Sequence, residues 1–374
     1  MRKIHRKKKV FTHLRTKSGF DKLLFIALII LSLFGALAVF NASVVSAYRD
    51  FGNQYYFVKD HLMYIGVGFF LMMVTSYIDY KKWYALAIPL LFGTLILLVA
   101  VFVPGLGVHA LGARRWINLG FFSVQPTEIA KLVLVIYLSA WFSNKEKGRL
   151  MPFVILLGVV LGLVILQPDL GTAVIIVVLA ALLYFLSGAP LRHFLALIPV
   201  IIIGVGILAI AVPYRLARIT TFLNPNTDPL GSSYHIRQVL IALGSGGWFG
   251  LGLGKSRQKY EYLPEANTDS IFAIIAEEIG FLGSLLFLGV LLFIVFRAFK
   301  IAQRAPDRFS QLLAAGIGAW FAIQTLINLG AMVALIPLTG VPLPLISSGG
   351  SNLISLLVGF GILLNISKHL EQKK

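Results

Sequence analysis

The chain has 374 residues, of which 58% are hydrophobic and 13% are charged, whereas soluble domains average roughly 45–50% apolar and about 25% charged residues. This composition excludes an ordinary soluble protein, and the absence of cysteine excludes disulfides and thiolate metal sites. The net charge of +18 does not predict nucleic-acid binding, because nine of the 33 Lys and Arg residues precede the first apolar run. Such a cluster is more typical of a topology signal and of contact with anionic membrane lipids.

Apolar runs long enough to cross a bilayer, which takes about 20 residues each, recur along the chain. The predicted spans are 23–45, 57–78, 84–104, 127–143, 150–167, 171–187, 191–213, 270–297, 310–336 and 344–367. The first run is longer than the h-region of a signal peptide, about 7–15 residues, so we expect it to be retained. The sequence therefore predicts an all-α integral membrane protein with about ten transmembrane helices: a basic cytoplasmic tail, 1–22, and one transmembrane domain, 23–374.

The distribution of Lys and Arg predicts the orientation. With the N-terminus inside, cytoplasmic segments hold 22 of these residues and outer segments ten, six of them in one long loop, and long loops have little influence on orientation. Both termini are therefore expected in the cytoplasm. The long loop, 214–268, is extracytoplasmic and joins helices 7 and 8. Its prolines (Pro225, Pro229 and Pro264) and the glycine-rich stretch 244–256 exclude one continuous helix, so short interfacial or re-entrant helices are expected.

Positive charge on the outer side runs against the usual bias and needs a reason. Arg114 and Arg115 precede the fourth span, and further cations in the long loop are Arg215, Arg218, Lys255, Arg257 and Lys259. A diphosphate in the outer leaflet is one explanation, because the guanidinium group binds phosphate through two parallel hydrogen bonds. Contact with ordinary anionic lipid is the alternative.

Two motifs lie at the outer starts of the fourth and sixth spans. In Gln125-Pro126-Thr127-Glu128-Ile129-Ala130-Lys131, Glu128 and Lys131 are three residues apart and share a helix face. They are either functional or a neutralised ion pair that holds helices together. In Gln167-Pro168-Asp169, the aspartate is either functional or the N-cap of the next helix.

Two further motifs surround the last long loop and the last span. Asp269 lies where the outer loop meets the eighth span, a place where a carboxylate is partly desolvated yet close to lipid headgroups; an N-cap is the alternative. Glu277 and Glu278 lie two turns deeper, where carboxylates are expensive to bury. The segment 342–351, which includes Ser348, places small residues at a helix N-terminus, where backbone N–H groups either face an anion or allow close helix packing.

Four stretches in this order, QPTEIAK (125–131), QPDLGTA (167–173), YLPEANTDSIFAIIAEEIG (262–280) and PLPLISSGGSNL (342–353), resemble the signatures of the FtsW/RodA/SpoVE (SEDS) family. The stretch 259–283 is more similar to division members (FtsW) than to elongation members (RodA). Two departures affect the packing around the site: family members often carry TDF and SYGGS where this chain has Thr268-Asp269-Ser270 and SSGGS at 347–351.

The resemblance implies a glycosyltransferase that polymerises lipid II and extends glycan strands on undecaprenyl diphosphate. It implies a class B penicillin-binding protein as the partner transpeptidase, with other division membrane proteins and membrane lipids as further partners. The family's essential aspartate corresponds to Asp269, and its intramembrane Glu and Lys correspond to Glu128 and Lys131, so the resemblance implies these three as the candidate catalytic residues. Candidate substrate-binding residues are Arg114, Arg115, Gln125, Gln167, Asp169, Arg215, Arg218, Lys255, Glu265, Glu278 and Ser348.

The expected mechanism has Asp269 as general base for the acceptor sugar hydroxyl, with Lys131 and the outer arginines offsetting charge on the departing diphosphate. Glu265 is the competing carboxylate. Two other classes of function are a lipid II flippase, for which the intramembrane charges would form a polar path, and a non-catalytic scaffold of the division machinery. The sequence has no metal-ligand spacing, so no cofactor is identified and a divalent cation, Mg²⁺ or Mn²⁺, stays open.

Overall fold

The structure, a computed structural model, describes residues 19–110, 113–118, 120, 123–144, 149–210, 213–224, 233–260 and 262–370. Its elements in chain order are α1 (Lys22–Phe51), α2 (Tyr56–Tyr77), α3 (Tyr80–Ala100), β1 (Gly107–Ala110), β2 (Ala113–Asn118), β3 (Ser123–Val124), α4 (Pro126–Ser143), α5 (Leu150–Leu166), α6 (Leu170–Leu186), α7 (Leu191–Ile210), α8 (Pro213–Leu223), α9 (Tyr234–Ser245), α10 (Ile271–Gln303), α11 (Arg308–Met332) and α12 (Gly350–Ser367). The predicted basic tail lies almost wholly outside the described residues.

Ten of these helices correspond to the ten predicted spans. Among the described residues, seven helices are long and apolar enough to cross a membrane, and α5 and α6 are apolar helices of 17 residues; α7 has 20 residues. Large apolar side chains such as Phe70, Leu195 and Leu286 are exposed on the outside of the bundle, as a surface that faces lipid requires. The predicted all-α membrane fold is confirmed.

The structure differs from the sequence-based prediction in two places. A small antiparallel sheet, β1-β2-β3, follows α3; strands of two to six residues are too short to show a clear alternation of apolar and polar residues. The last predicted span, 344–367, began too early, because α12 starts at Gly350. Residues 333–349, which contain Pro337, Pro342 and Pro344, form no helix, since proline lacks the N–H that helix hydrogen bonds require.

Helix α10 is broken at Gly280, which has φ 69° and ψ −171°. The carbonyls of Glu277 and Glu278 accept hydrogen bonds from the N–H groups of Leu251 and Gly252, both at 3.0 Å. Beyond the break, the N–H groups of residues 281 and 282 donate to the carbonyls of residues 247 and 248, at 2.9 and 3.1 Å. The glycine-rich segment 246–252 therefore satisfies backbone groups that a break at membrane depth would leave unpaired.

The long loop is thus folded rather than extended. It contains the two short helices α8 and α9, and its glycine-rich stretch is hydrogen-bonded to α10. A Cβ atom added at Gly280 would lie 2.2 Å from the backbone nitrogen of Gly250, so only glycine fits at this crossing. Pro225 and Pro229 lie outside the described residues.

Contacts between helix ends show which ends share a side of the bundle. The start of α1 meets the end of α10 through Asp21 and Arg297, whose side chains are 2.7 Å apart, and the start of α3 meets the end of α12 where Asn365 accepts from the Tyr80 N–H at 2.9 Å. The starts of α4, α6, α10 and α12, which carry the four motifs, lie at the opposite end. The fold therefore collects all four motifs on one side.

Candidate functional site

Asp269 lies in the loop just before α10 and is 9% exposed. Its backbone carbonyl accepts a hydrogen bond from Asn328 Nδ2 at 2.8 Å, and the same amide group donates to the carbonyl of Val341 at 2.8 Å. The N–H of Ser348 donates to the carbonyl of Asn267 at 2.9 Å. The bridging amide of Asn328 and the backbone hydrogen bond of Ser348 therefore hold the segment around Asp269 against the irregular segment 333–349.

The side chain of Asp269 lies between an acidic and a basic residue of the long loop, Glu265 and Arg218. The Thr268 hydroxyl lies 2.8 Å from Glu265 Oε2 and 3.3 Å from Asp269 Oδ1. On the other side, a methyl group added at Gly340 would lie 3.9 Å from Arg218 Nη1 and 4.0 Å from Asp269 Oδ2. Arg218 is held in place by donating to the carbonyl of Leu338 at 2.8 Å. The structure thus brings together Asp269, Glu265 and Arg218.

Burial, together with the negative charge of Glu265, raises the pKa of Asp269 from 3.8 to about 6, although hydrogen bonds and the Arg218 guanidinium oppose the rise. A carboxyl with a pKa near neutrality is suited to accept a proton and release it again. Glu265, by contrast, is exposed to solvent. The environment therefore favours Asp269 over Glu265 as the general base.

His235, on α9, is a neighbour of this site that the sequence did not single out. Its Nε2 lies 2.6 Å from Ser270 Oγ, next to Asp269 in the chain. Burial, together with the positive charge of Arg218, lowers the pKa of His235 to about 4. The ring is therefore neutral near pH 7 and acts as a hydrogen-bonding partner that fixes the start of α10.

Glu128 and Lys131 form a buried ion pair, with 2.8 Å between Lys131 Nζ and Glu128 Oε1. Lys131 Nζ also donates to Gln324 Oε1 at 3.0 Å and lies 5.4 Å from the centre of the Trp320 ring. Asn352 Nδ2 donates to Glu128 Oε2 at 2.6 Å. The pair thus links α4 with α11 and α12. Because Lys131 is 0% exposed, direct contact with a diphosphate would require this network to open.

The Gln167-Pro168-Asp169 motif ties helix ends together. Asp169 Oδ1 accepts from the N–H of Thr172 at 3.1 Å and caps α6, while Gln125 Nε2 donates to Asp169 Oδ2 at 3.2 Å. Gln167 is fully buried and donates to the carbonyl of Leu98 at 3.0 Å. Arg115 Nε donates to the carbonyl of Gln167 at 3.1 Å. These contacts match the N-cap alternative for Asp169 and leave Arg115 partly engaged by the protein itself.

Glu277 and Glu278 organise the glycine-rich segment. Glu277 accepts hydrogen bonds from the Ser256 hydroxyl and from the N–H groups of Arg257 and Gln258, the latter two at 3.2 and 3.4 Å. Glu278 accepts from Asn41 Nδ2 at 3.2 Å. Both carboxylates are buried, so they face the protein rather than an open polar path.

The remaining candidates are distributed over the outer end. The side chains of Arg114, Lys255 and Arg257 are exposed, and that of Ser348 is half-buried. Lys259 is buried and donates to the carbonyl of Gly254. The side chain of Arg215 lies outside the described part of the structure. No group of three or more His, Asp or Glu side chains converges within the described ranges; Asp269 and Glu265 offer two carboxylates.

Comparisons with known proteins identify the family. The profile of the FtsW/RodA/SpoVE family, described as "Cell cycle protein", matches residues 21–372. Stage V sporulation protein E of Bacillus subtilis is 41% identical over 94% of this chain and 98% of its own length. The probable peptidoglycan glycosyltransferase FtsW of Trichlorobacter lovleyi is 40% identical over 94% of each chain.

Solved structures share the fold over nearly the full length. A chain from a peptidoglycan synthase complex that coordinates polymerization and crosslinking superposes with a TM-score of 0.78 at 27% identity, covering 95% of this chain and 99% of that one. The rod shape determining protein RodA of Thermus thermophilus gives 0.70 at 28% identity, with the same coverage. This chain belongs to the FtsW/RodA/SpoVE family.

Proposed function

We propose that this protein is a peptidoglycan glycosyltransferase that polymerises lipid II into glycan strands, with Asp269 as its general base. The observation that carries the proposal is the buried carboxyl of Asp269, held between Arg218 and Glu265 at the end of the bundle where the four motifs meet. Relatives named FtsW or SpoVE are about 40% identical, whereas RodA is 28% identical. These identities support an FtsW-like role in division over a RodA-like role in elongation.

In the proposed reaction, a sugar hydroxyl of the acceptor attacks the anomeric carbon of the donor. A carbon–oxygen bond forms there, the bond from that carbon to the lipid diphosphate breaks, and the hydroxyl proton passes to a carboxylate oxygen of Asp269. General-base assistance of this kind typically contributes about 10²–10⁴-fold to the rate. The diphosphate leaves with both electrons of the broken bond, so negative charge grows on its oxygens.

Arg218 is the cation best placed to stabilise that charge. Its guanidinium lies beside Asp269 and is oriented by the carbonyl of Leu338, and preorganised charge of this kind is usually the largest contribution to catalysis. The exposed Lys255 and Arg257 lie on the same loop and would attract the diphosphate from the membrane surface. A divalent cation would fit Asp269 and Glu265, because Mg²⁺ commonly binds one or two carboxylates together with substrate phosphates.

Glu128 and Lys131 act as positioning residues in this proposal. Lys131 orients Gln324, which donates to the carbonyl of Pro342 at 3.0 Å. The preceding residue, Val341, shares the amide of Asn328 with Asp269. The buried pair therefore supports the segment against which the general base is held. A closed network of this kind also argues against a flippase, in which these charges would line a path for the headgroup.

The proposed orientation places both termini in the cytoplasm and Asp269 on the outer side of the cytoplasmic membrane. The excess of Lys and Arg on one side of the ten helices supports it. Since the chain contains no cysteine, single-cysteine variants report position without background. A membrane-impermeant maleimide added to intact spheroplasts is expected to label Lys255→Cys and to leave Lys81→Cys unlabelled until the membrane is opened. The reverse pattern would reject the orientation.

The test of function is polymerisation of purified lipid II by the reconstituted protein, with and without a class B penicillin-binding protein, the partner that we propose. Wild type is expected to produce glycan polymer, and Asp269→Asn to abolish it while the protein elutes as a folded species. Glu265→Gln keeps the proposed base and is expected to retain part of the activity, which separates the two carboxylates. Translocation of lipid II without polymer would favour the flippase. The absence of both polymerisation and translocation, with the partner present, would favour the scaffold.

A further inference from the structure

A cavity of about 350 Å³ lies at the end of the bundle opposite Asp269, where α1 begins and where α10 and α12 end. Its lining residues include Asp21, Lys22, Arg297, Lys300 and Arg304. Four of these five are basic, so the lining of the cavity carries a net positive charge. It belongs to none of the four motifs, and the proposed reaction makes no use of it.

The basic side chains are arranged for one shared ligand. Arg297 and Lys300 are three residues apart on α10, and Arg304 follows four residues later as the C-cap of that helix, a spacing that places the three residues on one side of it. Asp21 accepts from Arg297 Nη2 at 2.7 Å and so neutralises only one of the cations. The Nε of Arg297 is buried without a hydrogen-bond partner among the described residues. An unpaired buried donor favours a ligand that supplies an oxygen acceptor.

The surroundings of the cavity are apolar and face outward. Leu23 borders the cavity and is 55% exposed, and Phe296 on α10 is 61% exposed. Since both helices cross the membrane, these side chains lie where acyl chains would pass. We infer that this cavity binds the phosphate headgroup of an anionic phospholipid, with Arg297, Lys300 and Arg304 around the phosphate and the acyl chains along α1 and α10. Basic pockets between helices at a membrane surface are suited to such headgroups.

Binding of added lipid to the purified full-length chain tests the inference. Native mass spectrometry in detergent is expected to show phosphatidylglycerol retained in preference to phosphatidylcholine, because the latter carries no net charge. The double variant Lys300→Gln/Arg304→Gln removes two cations but keeps the Asp21–Arg297 pair, and is expected to weaken retention of phosphatidylglycerol by about 30-fold. The matched control, Lys81→Gln/Lys82→Gln, removes two exposed cations at the same end of the bundle and should leave retention unchanged.

Three results would overturn the inference. One is equal retention of the two lipids by wild type, and another is an equal loss in the control variant. The third is displacement of phosphatidylglycerol by millimolar inorganic phosphate or by an acidic peptide, which would identify a soluble ligand instead. Size-exclusion profiles that match wild type show that each variant is folded, so a loss of lipid is then a loss of the site.

Discussion

Replacing Lys131 by methionine is predicted to destabilise the protein strongly, although the two side chains have similar length. Glu128 is 2% exposed, and without Lys131 its charge would keep only Asn352 as a partner, at 2.6 Å. Removing one member of a buried ion pair costs about 3–5 kcal/mol, whereas replacing both with uncharged side chains is often neutral. Gln324 would still accept from Trp320 Nε1 at 3.0 Å, so few other contacts are lost.

The double variant Glu128→Gln/Lys131→Met is therefore expected to recover most of the lost stability. Unfolding in mixed micelles, followed by tryptophan fluorescence, gives the free energy of unfolding for each variant, and Trp320 lies close enough to Lys131 to report on the site. Lys82→Met, an exposed control, should change stability by less than about 0.5 kcal/mol. The positions are coupled if the double-mutant cycle gives about 3 kcal/mol or more.

Activity of the same variants separates positioning from direct contact. A positioning role predicts that the double variant, once stable, keeps measurable polymerisation with an altered kcat and little change in KM. The reasoning is refuted if Lys131→Met is no less stable than Lys82→Met. It is equally refuted if the stable double variant is as inactive as Asp269→Asn, since Lys131 would then contact the substrate.

Three further outcomes are expected. The polymerisation rate should rise with pH through about 6, as Asp269 loses its proton, and then level off. Because the folded pKa of Asp269 is raised from 3.8, the free energy of unfolding should fall by about 3 kcal/mol as pH rises from about 4 through 6, and Asp269→Asn should remove this fall. Gly280→Ala should expose the segment 246–252 to limited proteolysis, whereas Gly289→Ala on the same helix, with open space around it, should not. Asn328→Leu should lower kcat by up to about 10²-fold, with KM little changed. The control variant Thr325→Val, one turn earlier on the same helix, should keep wild-type kinetics. Equal kinetics in the two variants would contradict the role given to Asn328.

The helices were predictable because each carries its own signal in the sequence. An apolar run of about 20 residues identifies a membrane helix without reference to the rest of the chain, and Asp169 before Thr172 is a local capping pattern that the structure contains. The motif at 262–280 was sufficient to predict Asp269 as the candidate general base. Its desolvated environment depends on Glu265 and Arg218, and the position of Arg218 beside it is set by the fold of a 55-residue loop.

Other parts of the site carry no local signal. Asn328 and Gln324 are single polar residues within the apolar α11, and their partners at 269, 341 and 342 are brought to them only by the tertiary fold. His235 is one histidine in a long loop. The break at Gly280 falls within the predicted span 270–297, where a single glycine is only a weak signal. The backbone of residues 247–252, which forms hydrogen bonds on both sides of the break, is brought there by the tertiary fold.

The ion pair in α4 has a consequence for how the chain is inserted during synthesis. Of the seven long candidate spans among the described residues, α4 is the least apolar, and a lone Lys or Glu within a span disfavours partition from the translocon into lipid. Glu128 and Lys131 are three residues apart on one helix, so they neutralise each other before α11 or α12 has been made. The segment can therefore insert into the bilayer before α11 and α12 are synthesised, and these later helices then complete its polar contacts.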